Sequence, residues 1–126
     1  MDEIKTIIDD LGIVSLEANL NLAALAVLSD SGELIIQTEN WDLKNQEENI
    51  LNVIKGASSF NLSNVQYSVV EATPEGIIGT NMSGMGHILF APFKGGVLIS
   101  YAMPQANPPK ALAVLKNFAI KLNGKV

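Results

Sequence analysis

The chain has 126 residues and a mass of 13.5 kDa, with 48% hydrophobic and 17% charged residues, a length that buries roughly two thirds of the unfolded chain's surface around one core. It contains no Cys, no Arg and a single His, which excludes thiolate catalysis, disulfide frameworks, cysteine zinc sites, arginine clamps and any two-histidine metal site. The net charge of −5 and a pI near 4.7 disfavour nucleic acid as a partner, because neutralising phosphates requires clustered Lys or Arg.

Charge is uneven along the chain. Residues 1–50 carry eleven Asp or Glu against two Lys, and residues 51–126 carry two acids against six Lys, so the halves can meet favourably in the fold or in an assembly. The N-terminus MDEIKTIIDD is acidic and has no apolar h-region, and the apolar runs fall well short of about 18 residues. A cytoplasmic protein with no direct membrane insertion is expected.

In chain order, Ile4, Ile7, Ile8, Leu11, Val14 and Ala18 stand at helical spacing over residues 2 to about 18, with Asp2 and Glu3 where the helix dipole favours negative charge. Gly12 weakens this helix midway and predicts an early end. LAALAVL (22–28), a turn through Asp30 and Gly32, and ELIIQT form a hairpin. Its first strand is apolar on both faces, which suits a central strand with helices above and below. A second helix is predicted from Asp42, as N-cap, to about Ser59. There Leu43, Ile50, Leu51, Val53, Ile54, Ala57 and Phe60 fan over about half the circumference at about 100° per residue. One packing surface needs a stripe of only about 100°, so the excess predicts a second surface such as a partner subunit.

Alternation of Val65, Tyr67 and Val69 gives a strand over 65–72, ended by Thr73-Pro74-Glu75-Gly76. Residues 77–82 are a short return strand or an extension, and Ser83-Gly84-Met85-Gly86 is loop. HILFAPF (87–93), Lys94-Gly95-Gly96 and VLISYAM (97–103) form a second hairpin, in which Pro92 belongs at an edge or bulge. The last helix has Asn107 as N-cap, Pro108 at its first position, a stripe of Ala111, Leu112, Leu115, Phe118, Ala119 and Leu122, and Gly124 as stop. Ile120 falls on the opposite side, as an isolated exposed apolar residue or a contact point. The order is α-β-β-α-β-β-β-α, an α+β sandwich with a five- or six-stranded, mainly antiparallel sheet flanked by three helices, in one domain spanning 1–126.

Three stretches, LAALAVLSDSGELI, HILFAPFKGGVLISYAM and NPPKALAVLKNFAIKL, resemble the roadblock family, the dynein light chain and GTPase-regulator fold, and place the chain in a roadblock/profilin-like class. Residues 71–86 are longer than that family's usual connection, which leaves the strand count open. The resemblance implies a homodimer in which second helices pack together and third strands pair across a two-fold axis. By position, that surface would involve Ile50, Leu51 and Ile54 on the helix and Val65, Tyr67 and Val69 on the strand, with Leu43 on the wide apolar arc and Trp41 as an anchor or a plug of the helix–sheet seam. The resemblance further implies a scaffold or regulator that binds a small Ras-like GTPase or a larger cytosolic assembly. Without Arg, no arginine finger can be supplied to a GTPase. The alternative is a small-molecule sensory or ligand-binding domain of PAS- or longin-like type, which needs a pocket of about 300 Å³ or more.

The chemical motifs are weak. His87, four residues after Ser83, invites a Ser-His-acid reading, but no nucleophile elbow surrounds Ser83. Gly84-x-Gly86 lacks the third glycine of a dinucleotide site. Asp9-Asp10 and Glu47-Glu48 are adjacent pairs whose side chains diverge on a helix. Met82, Met85 and Met103 with Tyr101 and Phe93 could line an adaptable apolar site, with core packing as their ordinary role. No catalytic, metal-ligating or cofactor-binding residue is expected, and the chain is read as a non-enzymatic protein.

Overall fold

A computed structural model describes residues 2–39 and 41–126; the side chain of Asp2, expected at the helix N-terminus, lies outside the described residues. The elements are α1 (Asp2–Glu17), β1 (Leu22–Ser29), β2 (Leu34–Gln37), α2 (Glu47–Ile54), β3 (Ser59–Leu62), β4 (Val65–Thr73), β5 (Gly76–Thr80), β6 (His87–Phe93), β7 (Gly96–Ala102) and α3 (Pro108–Leu122). The fold is α+β, with three helices and one seven-stranded antiparallel sheet in the order β2-β1-β7-β6-β5-β4-β3. The strand count exceeds the expected five or six, because residues 76–80 pair as a full strand and 59–62 form a further one.

Cross-strand register sorts the side chains into two cores. Leu25, Leu89 and Ile78 lie in one row across β1, β6 and β5, with Ser100 of β7 between Leu25 and Leu89. This face is covered by α1 and α3, whose Ile4, Ile8, Leu11, Leu112, Leu115 and Phe118 complete its core. The Ser100 hydroxyl is fully buried and donates to the Ala24 carbonyl at 2.9 Å, so it carries no desolvation debt. The opposite face carries Ala26, Ile99, Phe90 and Ile77 in one row, packed with Ile50 and Val53 of α2. Gly79 of β5 makes room there: a Cβ at this position would lie 2.5 Å from the Phe60 ring. Phe60 stacks on Tyr67 and meets Phe90 edge-on, with centroids 5.3 and 5.4 Å apart.

Three local expectations change. The first helix runs through Gly12 to Glu17, because Leu11 and Ser15 on either side of that glycine are buried. The second helix is much shorter than residues 42–59: Asn45 (φ +69°) and Gly56 (φ +112°) are left-handed and cannot continue a right-handed helix. Asp42 is therefore no helix cap; its carboxylate accepts from the Lys44 N–H at 3.1 Å, while Gln46 occupies the cap position without a side-chain capping bond, its amide donating instead to the Asp42 carbonyl at 3.1 Å. Leu43 and Phe60 leave the helical arc altogether, which removes the excess apolar face. At the other end of the chain α3 matches its reading, with the Asn107 side chain accepting from the Lys110 N–H at 3.2 Å. Pro92 sits in β6 beyond the last residue paired with β5, where its missing donor leaves no ladder bond unmade.

Candidate docking face and aromatic cleft

Two surfaces stand out, one on each face of the sheet. On the first face α3 lies over β6 and reaches β5 and β7, and α1 lies on β1. The outer strands β4 and β3 extend past the edge of this helical layer. Ser68, Thr80 and His87 form a polar row across β4, β5 and β6, tied by a 2.9 Å hydrogen bond between Thr80 Oγ1 and His87 Nδ1. Beyond it the β4–β5 register shifts between Val69 and Glu71. The extra residue turns Val70 out of the ladder, and Val70 is 57% exposed.

The exposed side of α3 continues this surface. Pro109, Ala113, Lys116 and Ile120 recur at spacings of four, three and four, so they share one side of the helix. A Cβ on Gly76 would meet Leu112 and Lys116 at 2.8 and 2.9 Å, which shows how closely this side of α3 lies on the β4–β5 turn. A depression of about 150 Å³ separates them, bounded by Pro74, Glu75, Phe93, Lys116 and Ile120. Ile120 itself is 65% exposed. The exposed Ile120 stands at a shallow pocket that Glu75 and Lys116 also bound, and the exposed Val70 lies further along β4, a mix of apolar and polar surface suited to a protein contact.

The second face carries an open cleft of about 390 Å³. It spans from Trp41 and Asp42, after β2, to Val65 at the start of β4. Ala24, Tyr101 and Ile88 form its floor in one row across β1, β7 and β6. Tyr101 is held by its hydroxyl, which donates to the Met85 carbonyl at 2.8 Å. It lies across Gly86, where a side chain would be 2.7 Å from the Ala102 carbonyl and from the Tyr101 hydroxyl. Tyr67, only 3% exposed, closes the inner end, and burial pushes its phenol up to about 12, with Tyr101 adding to the shift.

Of the eight residues expected at an interface, Trp41, Leu43, Ile50 and Tyr67 are buried in the second core, Leu51, Val65 and Val69 are half-buried against it, and Ile54 is exposed. The structure gathers Trp41, Val65 and Tyr67 around the cleft. It does not bring Leu43, Ile50, Leu51, Ile54 and Val69 to that site. The docking face was missed at the sequence level except for Ile120; Val70 breaks no pattern until the bulge is seen. The other motifs resolve into local structure. Ser83 and Met85 donate their N–H groups to Asn81 Oδ1, a turn that organises the loop, and His87 bonds Thr80. Among the described residues no group of three His, Cys, Asp or Glu is placed to hold a metal ion, and no helix is long and apolar enough to cross a membrane.

No family model matches the sequence. The chain is 36% identical to Loki profilin-2 of Lokiarchaeum sp. (strain GC14_75), over 96% of both chains. It is 28% identical to Thor profilin of Thorarchaeota archaeon (strain AB_25), over 82% of this chain and 84% of that one. Among solved structures, the complex of LokiProfilin2 with rabbit actin matches with a TM-score of 0.87 and 35% identity, over 100% of this chain and 99% of that one. Profilin IB of Acanthamoeba castellanii shares the fold at 18% identity and a TM-score of 0.71, over 86% and 90% of the two chains. These likenesses overturn the roadblock resemblance. The small-GTPase partner, the homodimer and the PAS- or longin-like alternative fall with it. The hydrophobic pattern and turn glycines that carried the resemblance belong to a helix-flanked antiparallel sheet and do not separate families that share one. With more than a third of its residues identical to Loki profilin-2 across nearly its whole length, the chain belongs to the profilin family.

Proposed function

We propose that this protein is a non-enzymatic, actin-binding regulator that works in the cytoplasm as one domain. The observation that carries this reading is the whole-chain likeness, at 35% and 32% identity, to two profilins solved as complexes with rabbit actin. The contact is assigned to the docking face, because it combines uncovered sheet, the outer side of α3 and two exposed aliphatic residues, of which Ile120 bounds a pocket. Actin binding through such a face uses shape and apolar burial, and needs neither catalysis nor a cofactor. The test is isothermal titration calorimetry of the purified protein against rabbit actin. Saturable binding with a dissociation constant of about 10 μM or tighter is expected, and no heat of binding at about 100 μM would overturn the reading.

A further inference from the structure

The docking face leaves the aromatic cleft on the other side of the sheet without a role. Three features of that cleft bear on what could occupy it. Trp41, Tyr67 and Tyr101 line it, so its walls include aromatic rings whose faces attract cations. Among the described residues Asp42 is the one carboxylate in the lining and no Lys lines it, and Asp42 belongs to an N-terminal half rich in acids. Its carboxylate Oδ1 already accepts the Lys44 N–H, which leaves Oδ2 for another donor. Finally, Tyr67 is more than nine-tenths buried, yet its hydroxyl makes no hydrogen bond among the described residues. That oxygen is not sealed from the surface, and the cleft is the opening that Tyr67 lines.

We propose that the cleft receives a lysine side chain presented by a partner protein. Its four-carbon stem lies along Trp41, Tyr101 and the small floor at Ala23 and Ala24, and its ammonium reaches Asp42 and the Tyr67 hydroxyl. The volume of about 390 Å³ is ample for one such side chain. An unmodified ammonium fits better than a trimethylated one, because Asp42 and Tyr67 both present lone pairs that require N–H donors. An anionic side chain would face Asp42 and aromatic π-faces, and a purely apolar one would leave the Tyr67 hydroxyl unpartnered.

The test titrates the full chain with the blocked tripeptide acetyl-Gly-Lys-Gly-amide. Binding is followed by amide NMR shifts and by fluorescence of Trp41, the only tryptophan in the sequence. Parallel titrations use peptides with norleucine or trimethyllysine in place of lysine. The lysine peptide is expected to bind saturably at about 1 mM, moving resonances around Trp41, Tyr67 and Tyr101. The norleucine and trimethyllysine peptides are expected to bind at least about threefold more weakly. D42N and Y67F, each checked for an otherwise unchanged spectrum, are expected to weaken lysine binding by about threefold or more. Equal binding of the norleucine or trimethyllysine peptide, shifts scattered over the acidic surface, or full affinity in both variants would overturn the proposal. The readout involves no actin, so its failure leaves the actin reading untouched.

Discussion

Gly86 and Tyr67 show how single residues set the geometry of the cleft. Gly86 has φ +107°, and a side chain there would press on the Ala102 carbonyl and on Tyr101. Gly86→Ala is expected to cost about 2 kcal/mol through backbone strain and displacement of Tyr101, read as a lower urea midpoint and an altered Trp41 emission. Tyr67 gives a pH signature. Its phenol rises from 10.0 to about 12 on folding, so the folded state favours the protonated form. The stability linked to it is fully present below about pH 10 and is lost as pH rises through about 12. Urea melts at about pH 9 and about pH 11 should therefore show a larger loss in the wild-type protein than in Y67F; equal losses would contradict the burial argument. Neither residue announced this role in the sequence. Gly86 was readable only as loop, and Tyr67 only as one member of an alternating strand.

At the level of elements, legibility followed how local the determinants are. The last helix was readable because its signals lie within it: Asn107, Pro108 and a one-sided apolar stripe need no partner to be recognised. The two long hairpins were readable for the same reason. The second helix was not, because Leu43 and Phe60 mimic helical spacing while packing from a loop and a strand, and the left-handed residues Asn45 and Gly56 cut the helix to eight residues. The hairpin of β3 and β4 was hidden by its unusual turn. Ser63 and Asn64 have φ of +51° and +65°, the conformation of a two-residue turn that Asn-Gly fills with little strain. Replacing Ser63-Asn64 by Asn-Gly is expected to raise stability by between about 0.5 and 1 kcal/mol, with a matching rise in midpoint on thermal or urea unfolding. A loss of stability would mean that this turn is held by its side chains and not by its backbone.

At the scale of the molecule, seven strands outnumber the helical cover, and this imbalance leaves a surface open on each face of the sheet. On one side α1 and α3 cover the strands from β1 to β5 and leave β4 with a bulged, exposed Val70; on the other, the eight-residue α2 leaves an aromatic cleft beside Trp41. Whole-molecule surfaces of this kind depend on which strands are neighbours, and that order, β2-β1-β7-β6-β5-β4-β3, is not written in any local pattern. It also explains why element order and hairpin patterns together supported the wrong family. Whether the docking face carries the proposed actin contact is decided by calorimetry with paired variants. V70D/I120D places charges on the two exposed aliphatic residues assigned to that face, and L16D places one on an exposed apolar residue of α1 that does not bound its pocket. V70D/I120D is expected to lower affinity for rabbit actin at least about tenfold, equivalent to about 1.4 kcal/mol, while L16D binds as the wild type does; undiminished binding by V70D/I120D would remove the contact from this face.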